Sequence, residues 1–220
     1  MTVNDPLVAI NGTDVQTLEI IVMLTLISLI PSILIMTTSF TRIIIVLSIF
    51  RNALGLQGTP PNMVLISIAL FLSLFIMSPV IDEINETAYQ PYIAELISQQ
   101  EALERAQIPL KEFMLLNTNT NTLNMYLDFA NLPPPESEMD LPLRIVIPAF
   151  MTSELSRAFV MGFLLYIPFL IIDIIVASTL MSMGMIMLPP VMISLPFKVL
   201  LFVAVNGWDL LFMTLIRSFN

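Results

Sequence analysis

The chain has 220 residues, 57% of them hydrophobic and only 11% charged, with a mean hydropathy of +0.91, too apolar for an ordinary soluble domain and expected of an integral membrane protein. It contains no cysteine and no histidine, which excludes disulfides and thiolate metal sites and removes the commonest general base and metal ligand. A formal net charge of −9 gives no footprint for nucleic acid, and nothing in the composition calls for a cofactor.

Residues 1–19 are polar and unpatterned and read as a short N-terminal tail. They hold Asp5, Asp14 and Glu19 but no Lys or Arg, so no usual signal peptide is visible and the first hydrophobic stretch is expected to be retained. Three uncharged windows, 20–41, 52–81 and 174–197, each reach the ~20 residues that cross a bilayer as a helix. A fourth, 158–172, becomes long enough only if Asp173 is included. Pro31 should bend the first of them. Arg42 and Arg51 bracket eight uncharged residues, and Gly55, Gly58 and Thr59-Pro60-Pro61 form a connection whose cap-then-proline pattern starts the next helix. By the positive-inside rule these arginines place the connection in the cytoplasm and the N-terminus outside. Pro148, Pro168, Pro189 and Pro196 also fall in or beside apolar runs, a pattern of broken helices buried against other protein.

Residues 82–140 hold eleven Asp or Glu against Arg105 and Lys111, which accounts for the whole net charge and marks an inserted, solvated helical segment. Ser98 and Glu101 match a capping box, and Leu110, Phe113 and Met114 recur at helical spacing before a polar run over 117–122. Pro133-Pro134-Pro135 closes the segment as a linker. Asp82, Glu83 and Glu86 read as a solvated helix end rather than a cation site.

Beyond it, Glu154 and Arg157 stand three apart, close enough to pair on one helix or to hold copies of the chain together. Asp173 stands alone among isoleucines, and an isolated carboxylate there needs a partner. An ion pair to a neighbouring subunit, a proton relay and a neutral carboxyl are the three readings; the first is favoured, since relays usually show several ionisable groups. The run 178–198 then carries Met181, Met183, Met185, Met187 and Met192, with a helix break expected near Gly184 and regular structure ending at Pro189 and Pro190. These methionines either fill a crowded helix turn or, as soft unbranched side chains from several copies, close an adaptable apolar ring.

The fold class expected is therefore an all-α integral membrane protein of proline-broken hydrophobic helical hairpins with a small acidic helical domain between them. Its parts are a tail (1–19), a first hairpin (20–81), an acidic, externally placed domain (82–143) and a C-terminal hairpin with the Met-rich turn (144–220).

Six long motifs in order carry a resemblance: TSFTRIIIVLS (38–48), ALFLSLFIMSPV (69–80), PLKEFM (109–114), PAFMTSEL (148–155), GFLLYIPFLIIDIIVAS (162–178) and LPPVMISLPFKVLLF (188–202). Over nearly everything after Leu18 the chain resembles the FliP family, membrane components of the flagellar type III export gate, and more distantly their counterparts in virulence injectisomes. The resemblance implies several copies assembling helically with FliQ-like and FliR-like membrane partners into a channel entrance in the bacterial inner membrane at the flagellar basal body, through which unfolded flagellar subunits pass. It implies that the methionine gasket of the family falls on Met185, Ile186 and Met187, with Ile186 departing from the usual three methionines, and that a subunit-contact glutamate falls on Glu154. Met63 and Asn206 also depart from the usual pattern. An ion or small-molecule transporter, for which only Asp173 speaks, is the competing reading, and a membrane enzyme would have neither His nor Cys to work with.

Overall fold

The computed structural model describes residues 8–10, 13–15, 17–56, 58–133, 135, 137–185 and 187–219. Its N-terminal unit, Met1–Met36, contains a small antiparallel ribbon of β1 (Val8–Ile10) and β2 (Thr13–Val15) and most of α1 (Thr17–Thr37). All other described elements are helical, as the all-α class expects, and the ribbon is a local departure in the segment read as an unpatterned tail. Its sequence signal is Asn11-Gly12, the dipeptide most favoured between hairpin strands. Pro31 lies inside α1 without ending it.

The second unit, Thr37–Asn220, is built around α2 (Phe40–Ala53). Ile43, Val46, Leu47, Phe50 and Ala53 are buried, a helical stripe of i, i+3, i+4, i+7 and i+10 that faces the core. The uncharged residues between Arg42 and Arg51, given no element of their own from sequence, thus form the innermost helix of the unit. Around it pack α3 (Asn62–Ile84), α7 (Leu143–Ser182), α8 (Pro190–Ala204) and α9 (Gly207–Arg217). Phe50 meets the rings of Phe169, Phe202 and Trp208 at 4.9 to 6.0 Å. Close approach of α2 and α7 depends on Gly162, where a Cβ would lie 2.5 Å from Ile49 Cδ1; small residues let apolar helices come this near.

The acidic segment shares a second core with the same long helices. From α3 the chain runs through a π turn (Asn85–Tyr89) into α4 (Gln90–Ile93), then α5 (Gln99–Leu116) and α6 (Thr120–Phe129). Ser98 Oγ accepts from the Glu101 amide at 3.2 Å, and Asn119 caps α6 by accepting from the Asn121 amide at 2.9 Å, so the polar run over 117–122 is a helix start. Phe113, Met114, Leu123 and Leu127 then bury against Met77 of α3 and Ile145 to Phe150 of α7.

Three helical runs, Ile20–Thr37, Asn62–Ile93 and Leu143–Ser182, are long and apolar enough to cross a membrane, and α8 with α9, bent by 66°, makes a fourth candidate as a broken pair. The 40 residues of α7 amount to roughly 60 Å of helix, about twice the ~30 Å hydrocarbon thickness. It fuses the whole of the fourth window, 158–172, with the first part of the 174–197 window, which is divided by the break after Ser182.

Candidate functional site: a methionine loop braced by two buried ion pairs

The break between α7 and α8 is a Schellman turn. Gly184 has φ +75°, its amide donates to Met181 O at 3.0 Å, and the Met185 amide reaches back to Leu180 O at 3.0 Å, which satisfies carbonyls the helix end would otherwise leave open. A side chain at Gly184 would strain this left-handed position. The break expected near Gly184 is therefore present. Pro190, expected to end regular structure, instead begins α8 as its first residue, a position where proline's missing amide costs nothing.

Between those helix ends, Met183 is 69% and Met187 98% exposed, while Met185 is half-buried. Met181 and Met192 flank the loop and are exposed too. These methionines do not fill the interior of their own chain; they leave apolar thioether surface uncovered. The expectation on Ile186 lies outside the described residues.

Below the loop, α7 and α8 are stapled together. Lys198 Nζ donates to Asp173 Oδ2 at 2.6 Å and to Ala53 O at 2.9 Å, and Ser194 Oγ donates to Asp173 Oδ1 at 2.6 Å. Asp173 thus finds its partner within the chain, not on the neighbouring subunit favoured from sequence. Lys198 is 2% exposed and the Asp173 side chain 23%. One ammonium ties three helices, because Ala53 O is among the last carbonyls of α2, which lack intrahelical donors and favour a nearby cation.

At the other end of α2, Arg42 is fully buried and all five of its N–H groups are used. Nε donates to Glu154 Oε2 at 2.9 Å, and Nη2 to Glu154 Oε1 and to Asn117 Oδ1 at 3.3 Å. Nη1 donates to the backbone oxygen of Ser218 at 2.7 Å and to its Oγ at 2.9 Å. The ring of Phe219 lies 3.6 Å from the guanidinium carbon. Glu154 pairs with Arg42, not with Arg157, because its side chain turns into the α2 interface where it is fully buried; Arg157 donates to Asn117 at 3.4 Å. Arg42 is also no longer a free loop charge, which removes half of the positive-inside argument for topology.

Arg42, Lys198, Asn117, Ser194, Ser218 and Phe219 were missed from sequence. A signal existed for the first two: each is a base inside an apolar run, and the two acids in such runs, Glu154 and Asp173, are the partners they need. The sequence pattern of the FliP family matches residues 23–215. The chain belongs to the FliP family. It is 52% identical over 212 residues to the flagellar biosynthetic protein FliP of Aquifex aeolicus (strain VF5), covering 96% of this chain and 89% of that one. To its counterpart in Bacillus subtilis (strain 168) it is 53% identical over 204 residues, 93% and 92% of the two chains; to that of Pectobacterium carotovorum subsp. carotovorum, 49% over 211 residues, 95% and 82%. In this FliP-family chain the motifs that carried the resemblance hold both ion pairs: Arg42 lies in 38–48, Glu154 in 148–155, Asp173 in 162–178 and Lys198 in 188–202. Asn206, one of the departures from the family pattern, sits at φ +50° ahead of α9, a left-handed conformation that asparagine tolerates well.

Proposed function

We propose that several copies of this chain, with FliQ-like and FliR-like membrane partners, form the channel of a flagellar protein-export gate in the bacterial inner membrane at the basal body. Unfolded flagellar subunits pass through it, and the chain is a gated conduit that catalyses no reaction. The observation that carries this reading is the exposed Met183–Met187 loop, thioether-rich and held out on a hairpin fixed by the Asp173–Lys198 staple. Loops from several copies, Met185 and Met187 with Ile186 between them, meet in an apolar constriction. Ions are held back because such a ring offers nothing to replace their hydration. A passing polypeptide parts it because methionine changes rotamer easily.

Copies meet over the exposed α7 face of Phe159, Val160 and Phe163, with Arg157 at its edge and Glu154 supporting the contact from inside by fixing α7 to α2. The single feature that favoured a transporter, an isolated Asp173, is an internal ion pair.

Affinity purification of a tagged chain in mild detergent tests the assembly. The expected product is a large particle holding several copies and two small hydrophobic partners; a monomer free of partners, from cells that make them, would contradict it. The gasket is tested by Met185→Ala with Met187→Ala, which shortens both side chains and should raise ion leak several-fold in cells or proteoliposomes. A variant that assembles normally and leaks no more than the parent would remove the loop from the gate.

A further inference from the structure

We propose that Met183, Met185 and Met187 are an oxidation site, at which peroxide or hypochlorite-type oxidants convert the thioethers to sulfoxides and loosen the seal; the second half of this rests on the gate reading above. The chemistry is oxygen transfer. A lone pair on the sulfur attacks one peroxide oxygen, an S–O bond forms as the O–O bond breaks, the sulfur loses two electrons, and the departing hydroxide takes up a proton and leaves as water. The product is a polar, chiral sulfoxide, and reductases can reverse it.

Among the described methionines these three share one setting, the loop between two helix ends. Met183, Met185 and Met187 lie outside every helix, and on the chain itself Met183 is exposed and Met187 almost wholly open. Met77 and Met114 are buried and sheltered from any aqueous oxidant. Met23, Met36 and Met63 are exposed on the chain itself but sit in runs apolar enough to span the membrane, where a water-borne oxidant is scarce. The effect of oxidation follows from the cost of holding unpaired polar groups in a dry ring: each sulfoxide dipole draws water into the constriction. Ile186, with no sulfur, stays apolar and marks the limit of the effect.

The test has two readouts on the purified gate complex. After graded hydrogen peroxide and quenching, peptide mass spectrometry should show sulfoxide at Met183 and Met187 forming at least roughly tenfold faster than at Met77 and Met114; equal rates would overturn the site. In proteoliposomes, the same treatment should raise ion leak several-fold, and methionine sulfoxide reductases should restore the seal. Met183→Leu with Met185→Leu and Met187→Leu should abolish the oxidant-dependent increment, measured against that variant's own untreated leak. Met125→Leu, on the surface of α6, should keep it. Loop oxidation without added leak would overturn the loosening while leaving the site. If the alanine variants also fail to leak, the gate reading itself has failed.

Discussion

Glu154→Ala is expected to destabilise the fold by about 3–5 kcal/mol, because it leaves the Arg42 guanidinium charged, buried and without its counter-ion. In detergent, an apparent Tm followed by Trp208 fluorescence should fall by roughly 10 °C for a chain of this size. Arg42→Lys should do nearly as much harm. An ammonium presents three donors from one atom, whereas the guanidinium reaches Glu154, Asn117 and Ser218 at once through a planar fork. The paired change, Arg42→Met with Glu154→Leu, removes both charges and should cost less than the sum of the two single losses, since a buried ion pair replaced by apolar side chains is often tolerated. Strict additivity in that cycle would show that the two residues do not act as a pair. Some loss should remain even then, because Asn117 and Ser218 keep acceptors that Arg42 had filled.

Asp173→Ala is expected to be worse than Lys198→Met, although both break the same pair. Removing the carboxylate strands an ammonium that is 2% exposed, for a cost of about 3–5 kcal/mol. Removing the lysine strands a carboxylate that is 23% exposed. It can draw on water and on the Ser194 hydroxyl, so the cost should be nearer 1–3 kcal/mol, part of it from the unpaired Ala53 carbonyl. The order of apparent Tm values among parent, Lys198→Met and Asp173→Ala tests this directly, and the reverse order would mean that solvent reaches Lys198. The staple also holds the base of the methionine hairpin, so both variants should leak in proportion to the stability they lose.

The membrane character, the helical acidic segment, the Ser98 cap and the break at Gly184 were all legible because each is local. Hydropathy, capping side chains and a left-handed glycine act within a few residues of the chain, and their signals survive without knowledge of neighbours. The family was legible for a different reason, the length and order of its motifs. The role of α2 was readable in principle from the stripe through Ile43, Val46, Leu47 and Phe50, but the flanking Arg42 and Arg51 were read only as cytoplasmic markers of the connection that follows. Charge next to an apolar run usually means solvent.

Only tertiary structure decided who pairs with whom. Arg42 and Glu154 are 112 residues apart and Arg42 and Ser218 176, and Glu154 had a nearer candidate in Arg157. Sequence spacing ranks partners along one helix, whereas a buried charge is satisfied by whichever group the packing of separate helices brings within about 3 Å. By itself the sequence determined that this chain is apolar, helical and methionine-rich at one turn. The crossing of α2 with α7 and α8 determined that its buried charges are neutralised inside the protomer and that the methionines are left facing out, because folding has to satisfy a charge taken from water but can leave a thioether uncovered.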